Sequence, residues 1–292
     1  MLFHRAWAAA VVAAATLLTL GASTATAAAP AVSSAPAVPG PGLLVVDYQP
    51  AETATDQAEQ EFLQGNEVLE SAAAHINSLI GLPRDVPLTA LSCGGDANAY
   101  WDPESQGILF CYELVGAYRG LFEKLNTTGT QAQQARATED DLIGVSNSTV
   151  FHELGHALID LYELPSTGRE EDAADQLATL LLAGDPLRQQ YAVSDIEAWG
   201  ALAVAAENGD ITGQLADEHA LDAQRYYNAI CWLYGSDPAA YQGVVQTEAN
   251  PDGVLPEARA VRCPGEYEKI DKAWGTLLQP YLKTGQSSQS AP

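Results

Sequence analysis

Residues 151–157 read Phe-His-Glu-Leu-Gly-His-Ala, which places His152 and His156 four apart with Glu153 directly after the first. On a helix that spacing puts both imidazoles on one face, one turn apart, as two ligands of a single Zn²⁺ require. A carboxylate between them can take the proton of a water that such an ion polarises. The bland alternative is a pair of solvated histidines on an exposed helix. The alternatives are told apart by whether the chain supplies a third ligand, groups that orient the ligands, and a cleft.

A helix over residues 146–162 carries the pair, with Ser146, Asn147 or Ser148 as cap. Val150, Leu154, Ala157, Leu158 and Leu161 form an apolar stripe with His152, Glu153 and His156 at its edge, which is the pattern of a cleft wall. Thr167 to Glu170 reads as a capping box that opens a second helix over 169–182. Two helices joined by a short turn lie side by side, so Glu171 can supply the third ligand. Asp175, one turn on, can accept the free N–H of a ligating histidine. Ala173, Ala174 and Ala178 allow the helices to approach closely. An acidic first turn also complements the helix dipole, which accounts for Glu170 but not for Asp175. Asp237 ranks second as a third ligand. A third histidine further along the motif helix is excluded, because Tyr162 stands there and Ile159 replaces the expected glycine.

The remaining elements set these helices in an α+β fold: a small, mainly antiparallel N-terminal sheet with a hairpin, then a mostly helical lobe. Residues 43–48 and 86–93 read as strands, and 55–82 as one helix on which His75 is a surface residue. A hairpin joins 97–101 to 108–112 through a Pro/Gly turn. Residues 113–125 form a helix and the polar stretch 126–141 a loop or lid. Further helices follow over 194–208, opened by a capping box at Ser194, and over 222–234 and 266–282.

Residues 1–27 read as a signal peptide, 28–42 as an Ala/Pro/Val/Ser-rich linker, 43–283 as one domain and 284–292 as a disordered tail. Export permits disulfides. Four cysteines allow three pairings, of which the local ones, Cys93–Cys111 and Cys231–Cys263, are favoured over a four-cysteine zinc site. The formal charge of −25 for the 292 residues disfavours nucleic acid and anionic lipid as partners. The expected molecule is a secreted monomer with no stable membrane insertion after leader cleavage.

His152-Glu153-x-x-His156 followed by Glu171-x-x-x-Asp175 on the next helix resembles the gluzincin metallopeptidases. That resemblance implies His152, His156 and Glu171 as zinc ligands, Glu153 as general base and acid, Asp175 behind a ligand, and the upstream hairpin as the edge that binds substrate backbone. A narrower likeness to a bacterial metallopeptidase family without an assigned substrate runs through residues 98–103, 111–114, 224–228 and 262–267. The oxyanion donor stays open among His219, which ranks first, Arg225, Tyr226 and Tyr227. The expected function is zinc-dependent hydrolysis of a peptide or protein substrate. The alternative is a non-catalytic zinc- or peptide-binding envelope protein with the same fold.

Overall fold

The computed structural model describes residues 40–206 and 211–283. The expected leader, most of the linker and the tail lie outside them, as does the end of the helix expected to reach residue 208.

Strand β1 (Leu44–Tyr48) leads into helices α1 (Ala54–Gly65) and α2 (Val68–Leu79), then β2 (Val86–Leu91), β3 (Ala99–Asp102) and β4 (Gly107–Cys111). The sheet order is β1-β2-β4-β3. β1 pairs with β2, and β2 with β4, in parallel; only β3 and β4 are antiparallel. This corrects the mainly antiparallel sheet expected from sequence. The connection through α1 and α2 is long enough to return the chain to the starting end of the sheet, which parallel pairing needs. The expected single helix over 55–82 is broken between α1 and α2. There Asn66 caps Phe62 with its amide side chain, and Glu67 takes a left-handed φ of 50°. The hairpin forms as expected, and the Cys93–Cys111 disulfide brackets it.

Helices follow: α3 (Tyr112–Leu125), α4 (Gln131–Leu161), α5 (Glu170–Ala183), α6 (Gln189–Ala206), α7 (Thr212–Ala216) and α8 (Asp222–Ser236). A short strand pair, β5 (Val245–Gln246) and β6 (Leu255–Pro256), precedes α9 (Glu257–Ala260) and α10 (Cys263–Leu278). Cys231 on α8 is bridged to Cys263 on α10, so both favoured pairings form.

The motif helix is nearly twice as long as expected. α4 runs 31 residues from a capping box at Thr130 and Gln133, and absorbs most of the polar stretch read as a loop or lid. Ser146, Asn147 and Ser148 do not cap it but are buried inside it. Asn147 and Thr149 donate to the carbonyls of Ile143 and Val145, four residues back, while Ser146 Oγ and Asn147 Oδ1 stay buried without a hydrogen-bond partner. Ser194 likewise sits within α6, donating to Asp141 on α4. His75 is not a surface residue: it lies against the Phe151 ring and 3.6 Å from Asp185.

α4 packs against α3, α5, α6 and β3. Its approach to α5 is set at Gly155, where a Cβ would stand 2.8 Å from Ala174 Cα and 3.0 Å from Ala174 Cβ. Ala174 is fully buried there. Gly155→Ala should therefore cost about 1–3 kcal/mol through forced separation of the two helices. Urea unfolding measures it, and an unchanged midpoint would show that α5 is free to move away from α4.

Candidate metal centre

α4 and α5 carry the site between them. His152 Nε2, His156 Nε2 and Glu171 Oε2 form a near-equilateral triangle, with separations of 3.3, 3.1 and 3.3 Å. A four-coordinate ion with bonds of about 2.0–2.1 Å spaces neighbouring ligands about 3.3–3.4 Å apart. Two imidazoles and a carboxylate at this spacing fit one divalent ion. His152 and Glu153 are buried, and His156 is partly exposed to the cleft.

The far nitrogen of each histidine meets a carboxylate. A carboxylate only accepts, so Nδ1 donates in each case. His152 Nδ1 donates to Asp175 Oδ1 at 2.8 Å and His156 Nδ1 to Glu170 Oε1 at 2.8 Å. These bonds leave each Nε2 aimed at the shared centre. Asp175 stands where the sequence placed it. Glu170 does not close a capping box: α5 begins without a side-chain cap, and the carboxylate turns to His156 instead.

Asp175 is shared. Arg225 on α8 donates to it through Nε at 2.8 Å and a terminal nitrogen at 2.5 Å. The guanidinium also stacks on the Trp199 ring of α6, 3.6 Å from its centre. Burial alone would lower the pKa of His152, but the hydrogen bonds to Asp175 and Glu171 outweigh it and push it up to about 10. Burial likewise opposes the charge on Glu171, and the three imidazoles around it hold its carboxyl far below the ordinary range.

Glu153 lines the same cleft from the side of α4 nearest β3. Its Oε2 accepts the backbone N–H of Trp101 at 2.9 Å, and Trp101 Nε1 donates to Asp160 at the end of the same helix. Burial raises the pKa of Glu153, against the pull of the two imidazoles and the Trp101 N–H. β3 is an edge strand of the sheet. Cys111 N–H bonds to Asn98 O, so the backbone groups of Ala99 and Trp101 point away from β4.

His219, on the segment between α7 and α8, brings Nε2 within 2.9 Å of Glu171 Oε2 and Nδ1 within 2.8 Å of Asp217 Oδ1. Arg169 holds the segment by donating to His219 O at 2.6 Å. Glu171, then Asp217, raise the pKa of His219 despite partial burial, which favours a ring carrying both N–H groups.

Of the other residues considered from sequence, Arg225 lines the cleft but is committed to Asp175. Tyr226 packs toward Gly200, and Tyr227 is 42 % exposed; neither lines the cleft. Asp237 accepts from the N–H groups of Ala239 and Ala240, away from the centre. The disulfides remove the four-cysteine alternative. Sequence reasoning missed Glu170 and Asp217 as histidine partners, and Asp195 and Trp199 as cleft residues. The spacing of Asp217 to His219 was a legible signal. Asp195 and Trp199 gave none, since only tertiary packing brings α6 to the site.

No curated protein and no solved structure matches the chain. A family model described as "Putative metallopeptidase" matches residues 48–278, which takes in every residue of the centre from Trp101 to Arg225. The chain belongs to this metallopeptidase family.

Proposed function

We propose that the protein is an exported, zinc-dependent peptidase of the gluzincin type, with His152, His156 and Glu171 as ligands and Glu153 as general base and acid. The observation that carries this reading is the ligand-spaced triangle of Nε2, Nε2 and Oε2 with a buried carboxylate on the adjacent helix position. Zinc bound there would supply a water of lowered pKa and polarise the scissile carbonyl. Glu153, raised by burial, takes a proton from the attacking water and returns it to the leaving nitrogen. The Trp101 N–H fixes the angle of the Glu153 carboxylate. His219, protonated between Glu171 and Asp217, can donate Nε2–H to the oxygen that gains charge. The outward carbonyls of Ala99 and Trp101 can accept from an extended substrate laid along β3. Export is supported by the leader expected over residues 1–27 and by the two disulfides.

Glu153→Gln keeps the shape and every ligand but removes the base. It should bind zinc stoichiometrically and lose at least about 10²-fold in peptide hydrolysis. Full activity in this variant would defeat the catalytic reading, and a wild-type protein that binds zinc yet cleaves nothing would favour a binding protein.

Metal uptake carries a second test. In the metal-free protein His152 is charged at pH 7, because its pKa of about 10 lies above that pH. Ligation needs neutral imidazole, so zinc binding should release protons at pH 7. Calorimetry in buffers of different ionisation enthalpy counts them; zero release would contradict the assignment of His152. The sign also fixes the metal-free stability. A raised folded pKa contributes stability fully present below about 6.5 and lost as pH climbs toward about 10.

A further inference from the structure

Two carboxylates in the cleft, Asp195 and Glu218, have no part in the chemistry described so far. Asp195 lies on α6 and lines the same cleft as His152 and Glu153. Ser148 and Thr149 also line it, one turn before those two residues on α4, so a single helix face leads from the metal centre to Asp195. Among the described residues no basic nitrogen lies within ion-pair distance of Asp195, and the bonds of Arg225 go to Asp175. The Ser148 hydroxyl and the charges of Arg225 and His152 favour the ionised form of Asp195 without closing an ion pair on it. An ionised carboxylate has about four acceptor sites, so most of its capacity is left for the cleft.

The setting suits a cation. Six carboxylates line the cleft, those of Glu153, Glu170, Glu171, Asp175, Asp195 and Glu218, against Arg225 as the one permanently charged base. Counting a divalent ion as well, the lining remains net negative and draws positive charge inward. Leu114, Tyr118 and Trp199 offer apolar and aromatic wall beside Asp195, which suits the aliphatic stem of a long basic side chain. Trp199 already carries one guanidinium on its face. Burial, then the charge of Asp175, drive the Asp195 pKa up to about 6, so an incoming cation would relieve an unfavourable charge.

We infer that Asp195 is a specificity residue that selects peptides with lysine or arginine beside the scissile bond, its carboxylate receiving the cationic head. The inference rests on the peptidase reading for its biological meaning, but binding alone can test it. Zinc-loaded Glu153→Gln protein is titrated with matched peptides, arginine against citrulline and lysine against norleucine. The cationic member of each pair should bind at least about tenfold tighter, and Asp195→Asn in the same background should erase most of that advantage. Equal binding of the pairs, or an advantage that survives Asp195→Asn, overturns the inference. Should Asp195→Asn fail to fold, as judged by zinc content and thermal unfolding, Asp195→Ser carries the same expectation. The active protein separates the two claims. Discrimination in binding without any cleavage would sink the peptidase reading and leave selection standing. Cleavage with equal kcat/KM for arginine and citrulline peptides would do the reverse.

Discussion

Glu171 reaches the two histidines only because α4 and α5 touch with almost nothing between them. Gly155 has no side chain and Ala174 has one carbon, and the gap a Cβ would fill is already taken. Widening that gap by a methyl group would carry Glu171 and Asp175 away together, because both project from the first two turns of α5. The glycine inside the motif is therefore structural for the site: it sets the helix spacing that brings the Glu171 carboxylate to the two imidazoles instead of leaving it a solvated end charge. Close-packed interiors transmit such shifts with little loss.

The opposite wall is held as firmly. The Trp101 N–H reaches Glu153 from β3, and its indole reaches Asp160 two turns further along α4. The disulfide at Cys93 and Cys111 bounds the hairpin that carries Trp101. Behind α5, Trp274 of α10 donates to the carbonyl of Ala173. α4 is thus clamped between a strand that positions the Glu153 carboxylate and a helix that brings Glu171 to the two histidines. Burying so many charges would be unfavourable if any stood alone. None of the central ones does: His152, Asp175 and Arg225 form one hydrogen-bonded chain ending on the Trp199 ring. The upward push on His152 and the downward hold on Glu171 describe one interaction from its two ends.

Much of this centre was legible in the sequence because it is local. Histidines four apart, and an acid pair four apart on the next helix, are periodicities that survive folding unchanged. The favoured disulfides formed for the same reason, each joining segments close in the chain. What could not be read depended on distant partners. Ser146 to Ser148 carry the signature of a helix start, yet they lie buried inside α4 where it packs among α3, α5 and α6, with Ser146 Oγ and Asn147 Oδ1 left unpartnered. Glu170 fits a capping box until His156 offers a charged partner. The strand pairing was misjudged because the one visible turn belongs to the hairpin, while the parallel β1–β2 pair is set by the α1–α2 crossover and the parallel β2–β4 pair by β3 taking the outer edge. Asp195 and Trp199 arrive from α6, which shares no pattern with the motif.

His219 decides whether the centre is open or closed. A purely structural site would surround its ion with four strong donors at mutual ligand spacing. His219 Nε2 meets Glu171 Oε2 at 2.9 Å, but its ring stacks alongside that of His152 with centres 6.2 Å apart. Its side chain is 39 % exposed, and it hangs from a connecting segment held by Arg169, not from a helix in the core. The three proposed ligands come from α4 and α5, whereas Trp101 and His219 face the cleft from β3 and from the segment before α8. That asymmetry leaves one side of the centre to water and substrate. It sets the Glu153 carboxylate, the His219 imidazole and the outer edge of β3 around the same opening, which a site built only to hold the fold together would not require.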